Sequence, residues 1–118
     1  MRLQNISIIQ YQNISKSPDI MRLWLPLHAF KKQLEYLINN DYQILPIDEA
    51  IDCMERKTRL KKPRPIALTF DNGYLDFYEE VLPLLVDHLF PATLLISPQN
   101  VEKRITVGEN EVCYLTWD

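Results

Sequence analysis

The chain has 118 residues, of which 47% are hydrophobic and 25% charged, a balance typical of one soluble globular domain and not of a disordered or fibrous protein. With 13 lysines and arginines against 16 acidic residues, the formal net charge is -3, so no basic field predicts a nucleic-acid partner. No stretch reaches the roughly 20 apolar residues of a membrane span, and the amino terminus lacks the apolar core of a signal peptide, which predicts a cytoplasmic protein.

The first predicted elements are a strand and a helix. Residues 6–11 have the short apolar character of a strand, and Pro26 suits the first turn of the helix that follows. Apolar residues then recur at spacings of three and four. We expect the helix to end at Asn39 and Asn40 with a residue in the left-handed backbone conformation.

A short strand and a second helix come next. Residues 42–45 form the strand, and Pro46 opens the helix, whose acidic first turn complements the helix dipole. We predict that one face of this helix packs inward. This face consists of Ile47, Ala50, Ile51 and Met54.

The most apolar strand candidate is the run from Pro65 to Phe70, which is typical of a strand buried on both faces of a parallel sheet. Asp71 falls at its carboxyl end, where parallel α/β folds bind ligands and mount catalytic side chains. Gly73 allows a tight turn directly after it. Asp71 is therefore a candidate catalytic residue, although an aspartate at a strand end can also simply accept hydrogen bonds from the following turn.

The remaining elements complete an alternating pattern. Helical spacing runs from Phe77 to about residue 89, and we expect the regular helix to begin close to Pro83, after a looser turn. With a strand at residues 92–97, four strands alternate with three helices, which predicts parallel pairing. A closed parallel barrel takes upwards of about 200 residues, and Thr116 offers a helix N-cap, so we expect residues 1–118 to form a single incomplete domain.

Residues 64–118 carry a recognisable signature. The run from Ile66 to Ser97 reads IALTFDNGYLDFYEEVLPLLVDHLFPATLLIS. It resembles the first signature of the polysaccharide deacetylase family, the NodB homology domain of carbohydrate esterase family 4, which has the form T-F-D-D-G, a tyrosine, a helix with L-P-L-L and a strand opening F-P-A-T. The resemblance implies an α/β fold, the amino-terminal part of a NodB-type barrel, and a glycan as the substrate class.

The resemblance also implies a chemistry. The family hydrolyses N-acetyl amides on sugars with a divalent metal of zinc or cobalt type, and a carboxylate acts as general base. The base matches Asp71, the tyrosine after the motif matches Tyr74 as a substrate contact, and the second aspartate, a metal ligand, matches Asn72. An amide offers a metal only a neutral oxygen, so Asn72 is expected to be a poor ligand.

The other metal ligands of the family are two histidines in an H-x-x-x-H motif, which follows the segment L-T-W-D. This chain has only His28 and His88, neither with a partner four residues on, so we predict no metal and no cofactor here. Cys53 and Cys113 are expected to be ordinary thiols. A phosphatase with an aspartate nucleophile would need a second aspartate where Gly73 stands.

Three functions remain open. We favour a decayed or shortened deacetylase-like protein of carbohydrate metabolism with no activity of its own. The alternatives are one half of a split deacetylase whose histidines come from another chain, and a non-catalytic glycan-binding or interaction module that uses Tyr74 and Tyr78. The open barrel half is expected to self-associate through its uncovered strands.

Overall fold

The computed structural model describes residues 5–16, 24–55, 60–107 and 110–118. The strands are β1 (Ser7–Tyr11), β2 (Ile14–Ser15), β3 (Leu25–Pro26), β4 (Tyr42–Leu45), β5 (Arg64–Asn72), β6 (Thr93–Ile96), β7 (Arg104–Val107) and β8 (Asn110–Cys113). The α-helices are α1 (Leu27–Asn39), α2 (Ile47–Met54) and α3 (Leu82–Asp87). In the described ranges, no helix is long and apolar enough to cross a membrane.

The main sheet is built around β5. Strand β1 runs along one side of it, with Ser7 opposite Ile66 and Tyr11 opposite Phe70. Strand β4 pairs with the first part of the other side, and β6 pairs with the second part. All of these pairings are parallel, which confirms the prediction from the alternation of strands and helices.

The two faces of β5 are buried by different helices, as the apolar run predicted. Successive side chains of a strand point to opposite faces. The face toward the larger core, which residues of α1 and α3 cover, carries Ile66, Leu68 and Phe70. The other face carries Ala67, which packs in a smaller cluster with Ala50 and Cys53 of α2.

The end of α1 differs in detail from the prediction. The residue with a left-handed backbone is Asp41, with φ of 60°, whereas Asn40 has φ of -118°. Asn40 instead donates its side-chain amide to the Tyr36 carbonyl at 2.7 Å, which satisfies one of the free carbonyls at the helix end. Asparagine therefore ends this helix through its side chain.

The inward face of α2 was predicted only in part. Its buried residues are Ala50 and Cys53, while Ile51 is 45% exposed. Small side chains on the contact face let the helix approach Ala67 of β5 closely, because little volume separates the two backbones. The prediction that Ile51 packs inward is therefore wrong.

The segment before α3 has the expected loose turn. A π-helical turn spans Phe77–Val81, and Pro83 lies in the first turn of α3. Proline has no backbone N–H to bond to the preceding turn, so a regular helix can begin but not continue through it. The prediction that the regular helix begins close to Pro83 is confirmed.

Strands β7 and β8 form an antiparallel hairpin that the sequence did not predict. Val112 of β8 packs with Trp24 and Tyr74 in a third, small hydrophobic cluster. Beyond the hairpin, Tyr114 forms an isolated backbone bridge with Tyr74. Residues 115–118 are in no helix, and the N-cap predicted at Thr116 stays a prediction.

Candidate functional site

The candidate site lies at the carboxyl end of β5, where the backbone turns sharply. Asn72 and Gly73 have φ of 73° and 69°, a region that asparagine tolerates and glycine enters freely. A Cβ added to Gly73 would lie 3.0 Å from Ile96 Cγ2, so the turn is closely packed against β6. The Leu115 N–H donates to the Gly73 carbonyl at 2.9 Å and holds the turn from the other side.

Four polar side chains meet at the ends of β1 and β5, and we term them the strand-end cluster: Gln10, Gln12, Asp71 and Asn72. Gln10 Nε2 donates to Asp71 Oδ2, and Asn72 Nδ2 donates to Gln12 Oε1 at 3.1 Å. These contacts arise because β1 and β5 are neighbours and parallel, so that their carboxyl ends share one edge. The structure places Asp71 at the strand end, as predicted, and brings the Gln10 amide into contact with it.

One oxygen of Asp71 is left without a donor. Asp71 Oδ1 is buried, and no hydrogen-bond donor from the described part of the chain reaches it. A buried acceptor without a partner costs about 1–3 kcal/mol, so this atom is the position in the cluster where a bound donor would be most favourable. Asp71 is thus oriented by Gln10 through one oxygen, while its other oxygen is buried without a donor from the described residues.

The cluster does not fit a divalent metal. Such ions prefer several carboxylate or imidazole ligands, whereas this cluster offers one carboxylate and three neutral amides, two of which direct NH groups at its oxygens. Over the described ranges, no three side chains of His, Cys, Asp or Glu are grouped so that they could hold a metal. The prediction that the chain binds no metal remains a prediction.

One histidine lies on a helix and the other directly follows one. His28 is exposed in the first turn of α1. His88 follows the last residue of α3 and stacks on the Phe90 ring at 5.4 Å between centroids. The structure therefore shows neither histidine in hydrogen-bonding contact with the strand-end cluster.

Tyr74, the predicted substrate contact, is only 8% exposed. Its ring contacts the rings of Trp24 and Tyr114, with a centroid distance of 5.0 Å to each. Burial raises the pKa of Tyr74, and Tyr114 adds to the shift in the same direction. The packing explains why an aromatic residue is needed here, and a contact between Tyr74 and substrate stays a prediction.

Gln10, the partner of Asp71, was not recognised from the sequence. The available signal was its position near the end of the first strand, but only the strand order shows that this strand lies beside β5. Trp117 was not recognised either; it is 65% exposed and lies two residues after Leu115, whose N–H donates to the Gly73 carbonyl. Tyr78, which was considered, is 61% exposed.

A parallel sheet with helices between its strands and a carboxylate at the end of its central strand defines a class of α/β proteins with a ligand site at that edge. Comparison with known sequences specifies the family. Residues 58–118, more than half of the chain, match the profile of the polysaccharide deacetylase family. The chain therefore belongs to the polysaccharide deacetylase family.

Individual relatives agree with this assignment. The chain is 27% identical over 109 residues to YxkH, a candidate polysaccharide deacetylase of Bacillus subtilis (strain 168), and the match covers 91% of this chain and 37% of YxkH. Among solved structures it resembles a de-N-acetylase from Aggregatibacter actinomycetemcomitans, with a TM-score of 0.74, 18% identity and coverage of 96% of this chain and 48% of that chain. IcaB from Ammonifex degensii gives a TM-score of 0.74 at 20% identity and coverage of 99% and 48%.

These structural matches, at low identity, show the fold. The chain spans about half the length of the matched structures, 48% in both cases, and 37% of YxkH. The fold is therefore that of the amino-terminal part of a NodB-type barrel, which confirms the predicted fold class.

Proposed function

We propose that this chain is a deacetylase-like protein of carbohydrate metabolism that keeps the general-base position at Asp71 but does not hydrolyse N-acetyl groups by itself. The observation that carries the proposal is the hydrogen bonding of the strand-end cluster. Asn72 Nδ2 donates to Gln12 Oε1 at 3.1 Å, so the position that matches the family's second aspartate is occupied by a donor and not by a charged oxygen.

Hydrolysis of an N-acetyl amide requires a polarised carbonyl and an activated water. In the family, a divalent metal supplies carbonyl polarisation and activates water. The residues of the strand-end cluster can orient a ligand and accept a proton at Asp71, but three neutral amides do not offset the desolvation of a divalent cation. Substrate binding at this edge of the sheet is therefore compatible with the cluster, whereas hydrolysis by this chain alone is not supported.

Acetate release tests the proposal directly. The full chain is incubated with an N-acetylated chito-oligosaccharide and zinc or cobalt, and free acetate is measured against the matched variant Asp71→Asn. That variant keeps the shape of the side chain and removes the carboxylate. We expect no difference between the two proteins, and acetate release by the unmodified chain above the variant would overturn the inactive assignment.

Metal binding gives a second, independent test. Calorimetric titration of the chain with zinc or cobalt should show no saturable site, because the cluster has a single carboxylate. A one-to-one isotherm that disappears in Asp71→Ala would contradict this expectation. Such a result would show a metal at the strand end even if hydrolysis were too slow to detect.

A second candidate function is one half of a two-part deacetylase, and an exposed apolar face favours it. Ile8 and Leu95 are the register partners of Ala67 and Asp71, so they point to the same face of the sheet as Asp71. They are 50% and 51% exposed, respectively. A second polypeptide that covered this face would bury both side chains, and it would reach Asp71 beside Leu95.

Complementation distinguishes the two candidates. The variant Asn72→Asp is mixed with a separately produced carboxyl-terminal segment of a family member that carries the H-x-x-x-H motif. If the two-part hypothesis is correct, the mixture should form a complex and release acetate, while the same segment with both histidines changed to alanine should form the complex without activity. Failure to form a complex in size-exclusion chromatography would contradict the hypothesis.

A further inference from the structure

Asn72 has a chemical property that is separate from metal binding. The sequence contains seven asparagines, and Asn72 is the one followed by glycine. Asparagine is among the chemically labile residues of proteins, and the backbone nitrogen of the next residue is the group that attacks its side chain. We propose that Asn72 is a site of spontaneous deamidation, which converts the amide at the end of β5 into a carboxylate beside Asp71.

The reaction needs only water as a co-reactant. The Gly73 backbone nitrogen loses its proton to solvent base and attacks Asn72 Cγ, so that a new C–N bond closes a five-membered imide ring. The Cγ–Nδ2 bond breaks, and the nitrogen leaves as ammonia after protonation. Water then cleaves one of the two imide C–N bonds. Cleavage at Cγ gives an aspartate at position 72, and cleavage at the main-chain carbonyl gives the isoaspartyl isomer.

Of this pair of residues, Asn72 is the accessible member, because Gly73 is buried in the folded turn. The Asn72 side chain is half-buried, and its bond to Gln12 is an exposed contact between amides that water can replace at small cost. Gly73 has no Cβ to shield its backbone nitrogen. Asn72 is also the last residue of β5, and the ends of elements open locally at a lower free energy than core segments.

The same turn also slows the reaction. The attacking nitrogen must approach Cγ, which requires the backbone of the turn to leave its present conformation, with φ of 73° at Asn72 and 69° at Gly73. The hydrogen bond from the Leu115 N–H to the Gly73 carbonyl holds that conformation. We therefore expect local opening of the turn to set the rate, so that the folded chain reacts more slowly than an open peptide of the same sequence.

Deamidation would change the chemistry of the strand-end cluster. A carboxylate at position 72 cannot donate, so Gln12 would have to rotate its amide and present its NH₂ group. The new charge lies beside Asp71 and adds to the formal net charge of -3. The resulting motif is T-F-D-D-G, the pattern of the polysaccharide deacetylase family. A slow reaction with water would thus replace an amide strand end by an acidic one without a change in the gene.

Timed incubation of the full chain tests the proposal. Samples taken over days at neutral and mildly alkaline pH are digested under acidic conditions, and every asparagine peptide is measured by liquid chromatography and mass spectrometry. At Asn72 we expect the mass increase that accompanies conversion of an amide to an acid, and the aspartyl and isoaspartyl peptides should elute as two separate peaks. The rate of this conversion should rise with pH. Asn13 is the internal control because it is buried, donates to Asp76 at 2.9 Å and precedes the β-branched Ile14.

Two variants and a peptide make the test decisive. Asn72→Gln keeps an amide but would have to close a larger ring, so it should form no acidic species in ion-exchange chromatography. Asn72→Asp should elute with the aspartyl product. A synthetic peptide of residues 69–75 reports the rate of the open backbone. The proposal is wrong if the peptide converts while Asn72 in the folded chain does not, or if Asn13 converts as fast as Asn72.

Discussion

Replacing Gly73 with alanine should destabilise the fold, and the structure allows the size of the effect to be worked out. Gly73 has φ of 69°, and an L-residue in the left-handed region costs about 1–2 kcal/mol. The new Cβ would lie 3.0 Å from Ile96 Cγ2, and pushing that side chain off its rotamer adds about 0.5–1.5 kcal/mol. Lower entropy of the unfolded chain returns about 0.4–1 kcal/mol. We therefore expect a net loss of about 2 kcal/mol in the free energy of unfolding.

Urea unfolding followed by circular dichroism measures this loss. A double-mutant cycle separates its two parts, because Ile96→Ala removes the crowded methyl group but leaves the backbone requirement. In that background the cost of Gly73→Ala should fall to about 1 kcal/mol, the conformational part alone. A Gly73→Ala chain as stable as the wild type, or more stable, would refute the reasoning, since it would mean that the turn does not hold Gly73 in the left-handed region.

Three further predictions follow from burial and exposure. Burial raises the pKa of Tyr11 to about 12 from its usual 10.0, so the neutral phenol is favoured in the fold. Below the usual pKa this preference should contribute up to about 2 kcal/mol to the free energy of unfolding, and the contribution should be lost as the pH rises toward the raised pKa. If urea unfolding of the wild type and of Tyr11→Phe showed the same dependence on pH, the prediction would be contradicted. Burial also raises the pKa of the Cys53 thiol, so an alkylating reagent should modify Cys113 first. Peptide mass spectrometry would measure both alkylation rates, and equal rates for the two thiols would argue against burial of Cys53. Leu95 is 51% exposed, so the variant Leu95→Gln should weaken the predicted self-association, as measured by light scattering. The control variant Tyr78→Gln, at another exposed side chain, should leave the self-association unchanged.

Much of the fold could be predicted because its signals are local. The apolar run ending at Phe70 indicated a strand buried on both faces, and Pro83 indicated where the regular part of α3 begins. The hairpin of β7 and β8 has no such signal. Each strand has four residues, and the hairpin is anchored by contacts distant in sequence, such as Val112 against Trp24. Tertiary packing of this kind is not visible in a periodic pattern.

The candidate site was predictable in position but not in its hydrogen bonds. Asp71 could be placed at a strand end from the sequence, because a buried strand and a turn residue flank it. Its partner Gln10 depends on which strand lies beside β5, and the alternation of strands and helices does not give the order of strands in the sheet. For the same reason, the pairing of Gln12 with Asn72 could not be foreseen.

The strand-end cluster separates what the fold requires from what the family's chemistry requires. The backbone at position 72 needs a residue that tolerates a positive φ, and asparagine meets that need as well as aspartate does. The Asn72 amide then donates a hydrogen bond to the Gln12 amide, and Gln10 donates to one oxygen of Asp71. Within the described residues, this leaves Asp71 Oδ1 as the buried acceptor without a donor. Because this oxygen is buried, a donor can reach it only if the neighbouring side chains move, and a group that does so must carry an O–H or an N–H.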